Sequence, residues 1–342
     1  MSSQKATPQI RTRSLKTWSA FGNLGRRPTE YEITAHNMNH TTGAIPLELG
    51  PDVNGNAWLL EHRDATKLRV ADWDLFRDPA ALTYGKYVAE QDDQETYIEL
   101  LLEQFDRDGA DRTLSVQALD MLGRALAPSR YLGHGLQMLS AYLQQLASSS
   151  YVANCAAFQT ADQLRRVQLN AYRTTQLNRS HPDRGFATSE RGHWENDTNW
   201  QPIRRAVELA LVEFDWDRAL VATNLVVKPV ADLLLIDLLG RQLAAAGDHL
   251  DALMLDNLWR DSRRSQSWTA ALTSFLLESD SSNGPVLQGY LDEFAPLGFA
   301  MIESGVQLLS VDGDQESAHL AAGVRADWAT IVEAGGLRLG TG

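Results

Sequence analysis

The sequence predicts an all-α protein, built as a bundle of long helices, and three observations support this prediction. Apolar residues recur at the 3.6-residue spacing of helices over most of the chain after residue 77. Four of these periodic runs exceed twenty residues, which suits helices that pack at shallow angles. No convincing hairpin signature, meaning two alternating apolar runs joined by a tight turn, interrupts the pattern.

Residues 1–77 are predicted to be a long extended arm that docks on partner subunits. Pro8, Pro28, Pro46 and Pro51 interrupt helices there, and glycines punctuate the rest. A structureless segment of this length is unusual inside a compact domain, whereas it is expected where a chain lies along a neighbour. The arm also supplies aromatic side chains, which interfaces favour.

A helical domain is predicted over residues 78–310. Asp78 and Pro79 suit the N-cap and the first position of a helix over residues 80–105. Pro229 removes a backbone hydrogen bond, so we expect a kink near Val226. Residues 311–342 are predicted to be a partly helical C-terminal tail. The remaining predicted helices span residues 112–127, 128–146, 152–178, 201–213, 216–246, 249–278, 285–309 and 316–333.

Composition restricts the function classes open to the chain. Its net charge is −13, but the first 27 residues hold six basic and no acidic residues, so the remainder carries −19. A basic arm can bind nucleic acid, yet no nucleic-acid-binding motif follows, and the acidic body repels phosphates. No apolar run long enough for a membrane span and no secretion signal is evident. The single Cys155 is predicted to be a buried, inert thiol. We therefore expect a cytoplasmic protein that binds neither nucleic acid nor membrane.

Two polar strings of the same pattern lie inside long helical runs. They are Asp162-Gln163-Leu164-Arg165-Arg166 and Asp261-Ser262-Arg263-Arg264-Ser265. In both, an Asp and an Arg stand three residues apart and so share one helix face. Such pairs are either buried, where they would fix the register of a bundle, or ordinary exposed pairs. The sequence leaves both alternatives open, because it does not report burial.

Further segments occur in a characteristic order from near the N-terminus to about residue 278. They are Lys16-Thr17-Trp18-Ser19, Arg27-Pro28-Thr29-Glu30-Tyr31-Glu32, Arg130-Tyr131-Leu132, Gln159-Thr160-Ala161-Asp162, Phe214-Asp215-Trp216 and Asn224-Leu225-Val226-Val227-Lys228-Pro229. On these segments and the two polar strings, the chain resembles the beta subunit of the hydroxylase in bacterial multicomponent di-iron monooxygenases. The resemblance is to the branch that oxidises toluene, xylene, alkenes and isoprene.

The resemblance implies a ferritin-like fold and a set of partners. In that family a catalytic alpha subunit carries the di-iron centre, and a small gamma subunit completes an α2β2γ2 assembly. A coupling protein and Rieske and flavin electron-transfer components bind transiently. The beta subunit is implied to be a structural, metal-free sibling of the alpha subunit.

The resemblance also assigns former metal positions. Catalytic relatives use two Glu-x-x-His pairs plus one Glu from each of two further helices. The matching positions in this chain hold Gln163, Arg166, Ser262, Ser265, Lys228 and either Gly133 or His134. Iron at such sites needs carboxylate oxygens. We therefore expect no metal, no cofactor and no catalytic residue in this chain.

Two Glu-x-x-His strings do occur elsewhere in the chain, Glu190/His193 and Glu316/His319. A short motif of this kind is expected about once by chance in a sequence of this composition, so both pairs are predicted to be surface residues.

The leading hypothesis is thus a non-catalytic hydroxylase subunit whose arm contacts its partner. Trp18, Arg26, Arg27 and Tyr31 are the predicted anchors, because they lie in the stretches that carry the resemblance. The alternative hypothesis is a free-standing helical scaffold or binding protein derived from a ferritin-like ancestor. That alternative accommodates the missing ligands but leaves the ordered segments unexplained.

Overall fold

The computed structural model describes residues 21, 24–38, 54–310 and 314–340. These ranges contain helices and turns but no strand, so the predicted all-α, long-helix fold is confirmed. The helices are α1 (Glu30–Met38), α2 (Asn54–Asp64), α3 (Tyr84–Arg107), α4 (Val116–Met121), α5 (Ser129–Leu146), α6 (Ser150–Ser180), α7 (Glu190–Asn196), α8 (Gln201–Ala210), α9 (Trp216–Ala245), α10 (His249–Ser279), α11 (Asn283–Leu309) and α12 (Asp314–Ala334).

Helices α5, α6, α9 and α10 carry all the predicted former metal positions. Helices α6 and α10 each contain 31 residues, which corresponds to about 46 Å of helix. Ser149 begins α6 by accepting a hydrogen bond from the backbone N–H of Val152 at 3.4 Å. Asp248 begins α10 in the same way, through the N–H of Asp251 at 3.2 Å. These four helices position the candidate site.

Helix α9 passes through the middle of the core. By length and composition it is apolar enough to cross a membrane, with a mean hydropathy of 1.8, but that apolar stretch is entirely buried within this fold. It is not a straight α-helix, because residues 221–227 and 233–238 form wider π-helical turns. The backbone N–H of Lys228 accordingly bonds to the carbonyl of Thr223, five residues back.

Pro229 explains one of these distortions. It cannot donate to the carbonyl of Leu225, the acceptor four residues earlier. The indole N–H of Trp328 in α12 donates to that carbonyl instead, at 2.7 Å. The predicted disturbance near Val226 thus takes the form of π-helical turns, and a side chain from another helix satisfies the acceptor.

The C-terminal helix belongs to the same core and does not form a separate tail. The helix predicted over residues 316–333 is present as α12, and its Trp328 is completely buried. Trp328 packs on Gly298 of α11 so closely that a Cβ at this glycine would lie 2.4 Å from the indole. A boundary at residue 310 therefore does not divide two packing units.

The prediction that residues 1–77 form a long extended arm is wrong for the residues that the structure describes. Helices α1 and α2 both fall inside it. Thr29 and Glu32 form a capping box, because the N–H of Thr29 donates to the Glu32 carboxylate at 2.8 Å and the N–H of Glu32 donates to the Thr29 hydroxyl at 3.2 Å. This local pairing begins α1 despite the neighbouring Pro28.

The prediction that Tyr31 anchors the chain to a partner subunit is wrong, because Tyr31 lies in the core of its own chain. Its hydroxyl accepts a hydrogen bond from the N–H of Asp78 at 3.1 Å, and its ring lies 5.7 Å from that of Tyr151. Arg26 donates to the buried Glu32 carboxylate, whose pKa is lowered by that bond and by Arg77. The α1 segment is thus fixed to the helical domain.

The other two predicted anchors differ in what the structure describes. Arg27 is exposed, whereas Trp18 lies outside the described residues.

The start of α3 and the region before α5 also differ from the prediction. Thr83, and not Asp78, is the N-cap of α3, since its hydroxyl accepts from the N–H of Lys86. Asp78 instead caps the preceding turn through Ala80 and Leu82. The helix predicted over residues 112–127 is split into a short 3₁₀ turn, α4 and a π-helical turn over residues 122–126.

Candidate functional site: the charged cluster at the degenerate metal positions

Three of the predicted former metal positions meet in the bundle core around a carboxylate that the sequence analysis missed. Lys228 of α9 donates to Asp232 at 2.5 Å and to the hydroxyl of Ser265 at 2.7 Å. Arg166 of α6 donates to the other oxygen of Asp232 at 3.0 Å. Ser265 donates in turn to the carbonyl of Ser262 at 2.8 Å. We call Arg166, Lys228, Asp232 and Ser265 the central cluster.

The central cluster is deeply buried and holds two cations against one carboxylate. The side chains of Arg166, Lys228 and Asp232 are 6%, 3% and 0% exposed. Burial lowers the pKa of Arg166, an effect that Asp232 partly offsets. Two buried cations that share one anion form a triad, an arrangement whose desolvation cost is large. Its geometry ties α6 and α10 to α9.

The donor set does not fit a di-iron centre. Iron in helical carboxylate proteins is held by four carboxylates and two histidines. The central cluster offers one carboxylate, already bonded to two cations, and its hydroxyl is a poor substitute. In the described ranges, no group of three His, Cys, Asp or Glu side chains lies together so that it could hold a metal ion. We derive no metal chemistry from this site.

The two Asp-x-x-Arg strings are buried, and their ion pairs cross between helices. Arg264 of α10 donates to Asp162 of α6 at 2.6 Å. Arg165 of α6 donates to Asp261 of α10 at 3.0 Å. We call these two ion pairs the crossed pairs. Each string could also form an ion pair between its own Asp and Arg. Of these two ion pairs, the one between Arg264 and Asp261 forms, at 3.0 Å. The crossed pairs therefore fix the register of α6 against α10.

Helix α3 covers the crossed pairs and supplies further partners. The hydroxyl of Tyr87 donates to Asp162 at 3.0 Å, and the amide of Gln91 donates to Asp261 at 3.0 Å. Burial, together with the charge of Asp261, raises the pKa of Asp162 to about 7. The positive charge of Arg264 and its hydrogen bond to Asp162 oppose this rise in pKa.

A neutral layer of hydrogen bonds on the next turns joins all four helices. Gln159 of α6 donates to Ser140 of α5 and to Asn224 of α9, both at 3.0 Å. Asn224 donates to Thr269 of α10 at 3.0 Å. Every helix that would carry a ligand in a catalytic relative is therefore connected to its neighbours by polar side chains.

The remaining predicted positions do not join the central cluster. Gln163 and Ser262 are buried, but the Gln163 amide oxygen has no hydrogen-bond partner. Gly133 faces Val167, and a Cβ there would lie 3.1 Å from it. His134 points outward and contacts Gln137 at 3.0 Å. Gly133 thus packs against a side chain of α6, and the alternative that His134 is the inward-facing former ligand position is wrong.

One of the two Glu-x-x-His strings also departs from its prediction. Glu190 is buried and its carboxylate accepts a hydrogen bond from the N–H of Ala187, just before α7, whereas His193 is partly exposed. These two side chains do not converge on a common ligand. His319 is exposed, as predicted.

Fold and cluster together define a class: a long-helix bundle of the di-iron carboxylate type that carries a buried ionic cluster between α6, α9 and α10. Residues 58–280 match the family model described as methane/phenol/alkene hydroxylase. The chain belongs to this family.

The most informative relative in sequence is the hydroxylase component subunit beta of the toluene-4-monooxygenase system of Ectopseudomonas mendocina. It is 36% identical over 300 residues, which cover 87% of this chain and 91% of the relative. The oxygenase component DmpL of phenol 2-monooxygenase from Pseudomonas sp. (strain CF600) is 25% identical over 68% of this chain and 70% of its own length. The predicted identification as a hydroxylase beta subunit is therefore confirmed.

Solved structures agree with this assignment. One, described as toluene bound in the resting active site of toluene 4-monooxygenase, has a TM-score of 0.81 and 35% identity. It is matched over 90% of this chain and 100% of that one. Xenon-pressurized phenol hydroxylase from Pseudomonas sp. OX1 has the same TM-score at 20% identity, over 99% of both chains, and so supports the fold alone.

Proposed function

We propose that this chain is a non-catalytic, structural subunit that supports a catalytic alpha subunit holding the di-iron centre. The observation that carries the proposal is the central cluster, where Arg166 and Lys228, two predicted former metal positions, both donate to the buried carboxylate of Asp232. The proposed role of the chain is to support its partner and not to carry out chemistry. The cluster and the crossed pairs hold four helices in one register, and a rigid support of this kind suits a partner whose metal site must be positioned closely.

The proposed reaction of the complete hydroxylase is oxygen insertion into a hydrocarbon, with O2 and electrons derived from NAD(P)H. The names of the two relatives, toluene-4-monooxygenase and phenol 2-monooxygenase, support an aromatic substrate. An alkene such as isoprene is the second proposed substrate class, on the resemblance given above. Because the substrate would bind in the alpha subunit, no residue of this chain is assigned to it.

The proposed assembly is a cytoplasmic α2β2γ2 hydroxylase served by a coupling protein and by Rieske and flavin electron-transfer components. The relatives' description as hydroxylase or oxygenase components supports the existence of partners. Trp18 and Arg27 remain proposed partner contacts of the N-terminal segment. Residues 1–27 carry +6, so contact with an acidic partner surface is expected.

Turnover in the reconstituted hydroxylase tests the non-catalytic role. Gln163→Ala and Ser262→Ala alter buried groups at former ligand positions. We expect lower thermal stability or assembly yield, with turnover per bound iron within about twofold of wild type, well under the factor of ten that 1.36 kcal/mol of barrier represents. Leu164→Ala on the exposed face of α6 serves as a control for changes to the same helix. A loss of about a hundredfold in intact, fully metallated complex would demonstrate a direct catalytic role.

A further inference from the structure

A long groove runs between α3 and α6 on the outside of the crossed pairs. It has a volume of about 1070 Å³. Its floor is apolar and includes Ile98, Leu102 and Leu169, and the exposed rings and methyl groups of Tyr172 and Val88 extend this apolar surface outward. From Val88 to Asp106 the groove follows nineteen residues of α3, and the helical rise between these two residues is about 27 Å. A helix of about five turns would fit along it.

One wall of the groove is a continuous stripe of carboxylates. Asp92, Glu95, Glu99, Glu103 and Asp106 follow each other at spacings of three or four residues, so that one stands on each turn of α3. Like charges at these spacings repel and destabilise a helix by roughly 0.2–0.5 kcal/mol per pair. Within the described residues, Arg165 pairs with Glu95, and the other four carboxylates form no ion pair. Among the residues that the structure describes, Arg165 is thus the one cation paired with the stripe.

Two buried acceptors in the groove are also without donors. The amide oxygens of Gln91 and Gln176 are buried and have no hydrogen-bond partner. A buried acceptor left unpaired costs about 1–3 kcal/mol. The groove therefore presents acceptors and negative charge above an apolar floor, and the chemistry that complements it is a set of cationic donors on an apolar helix.

We propose that this groove docks a basic amphipathic helix of the alpha subunit. The occupant has apolar residues at helical spacing against the floor and Lys or Arg once per turn against the α3 stripe, a helix-in-groove contact. The inference rests on the proposed function, since it needs the partner subunit. Charge complementarity carries it: α3 contains seven acidic and two basic residues. The occupant would also donate to Gln91 and Gln176.

Charge reversal of two exposed carboxylates tests the proposal. Within the described part of the chain, the side chains of Glu99 and Glu103 make no hydrogen bond or ion pair, so Glu99→Lys/Glu103→Lys should leave the fold intact and even relieve repulsion in α3. Asp327→Lys/Glu333→Lys, on the exposed face of α12, is a control with the same change in net charge. Affinity for purified alpha subunit is measured by titration calorimetry at two salt concentrations, with melting curves to verify folding.

We expect the groove variant to bind alpha about tenfold or more weakly, and to lose the salt dependence that wild type shows, while the control stays within about twofold. Unchanged affinity of the groove variant would overturn the proposal. Two other outcomes would do the same: an effect confined to the gamma subunit, or an effect that vanishes when residues 1–20 are deleted, which would assign the groove to the chain's own basic segment. Failure of wild type to bind any subunit would instead overturn the proposed function.

Discussion

Replacing Asp232 by asparagine isolates the charge of the central cluster. The change keeps the size and shape of the side chain but removes the anion to which both Arg166 and Lys228 are bonded. Both cations are almost fully buried, at 6% and 3% exposure. Breaking a buried ion pair by removing one partner costs about 3–5 kcal/mol, because an uncompensated charge remains in a medium of low dielectric constant. We expect a loss of unfolding free energy in this range.

Urea unfolding of the full-length chain measures this loss, with the same comparison made in the assembled hydroxylase. At a slope of about 2 kcal/mol/M, the midpoint should fall by roughly 1.5–2.5 M. Asp237→Asn is the matched control: it lies on the same helix, but its carboxylate is 29% exposed and pairs with Arg241 on the surface. That variant should lose no more than about 0.5 kcal/mol.

The complementary variant removes all three charges at once. Arg166→Met/Lys228→Met/Asp232→Leu should be neutral or more stable by about 1–4 kcal/mol, since apolar side chains of similar volume avoid desolvation. If Asp232→Asn is as well tolerated as the surface control, the carboxylate does not compensate the two cations, and the account of the cluster as an ionic replacement for a metal is refuted.

Three other variants probe the crossed pairs and the core. The pKa of Asp162 is raised to about 7, so its contribution to stability is full below about pH 4 and is lost as the pH rises through 7. The unfolding free energy of wild type, measured by urea unfolding, should therefore fall by up to about 4 kcal/mol over this pH window. Asp162→Asn should remove this fall, whereas the exposed Asp256→Asn should not. Trp328→Phe leaves the carbonyl of Leu225 without its donor and should cost about 1–3 kcal/mol in unfolding free energy, whereas an unchanged melting curve would show that the π-helical turns need no external donor. Gly298→Ala forces a Cβ against the same indole and should lower the melting temperature comparably.

Long helices were the most predictable part of this fold. The helix predicted over residues 152–178 is found as Ser150–Ser180, and the one over 249–278 as His249–Ser279. Sustained periodicity defines such elements locally. Helix α1 was missed because the prolines and glycines on either side of it outweighed one capping box, Thr29 with Glu32, which was the available indication of a helix start.

The candidate site was predictable in composition but not in connectivity. Spacing of three residues predicted that Asp162 would pair with Arg165, whereas Asp162 bonds to Arg264, 102 residues away. Helical spacing reports which side chains share a face and not which helix that face meets. Asp232 was not predicted as a site residue because it does not match the position of any metal ligand in the catalytic relatives. Its place four residues after Lys228, on one helix face, was the indication that could have revealed it.

Iron analysis of the purified full-length chain, after anaerobic loading with ferrous iron and removal of excess metal, tests the central claim most directly. The account predicts iron well below one atom per chain, because Arg166 and Lys228, two of the predicted former ligand positions, are cations that both bond to Asp232 and leave no set of carboxylates for iron. The alpha subunit, loaded in parallel, should retain its iron. Two iron atoms in each copy of this chain, with the absorption band of an oxo-bridged pair, would contradict the account.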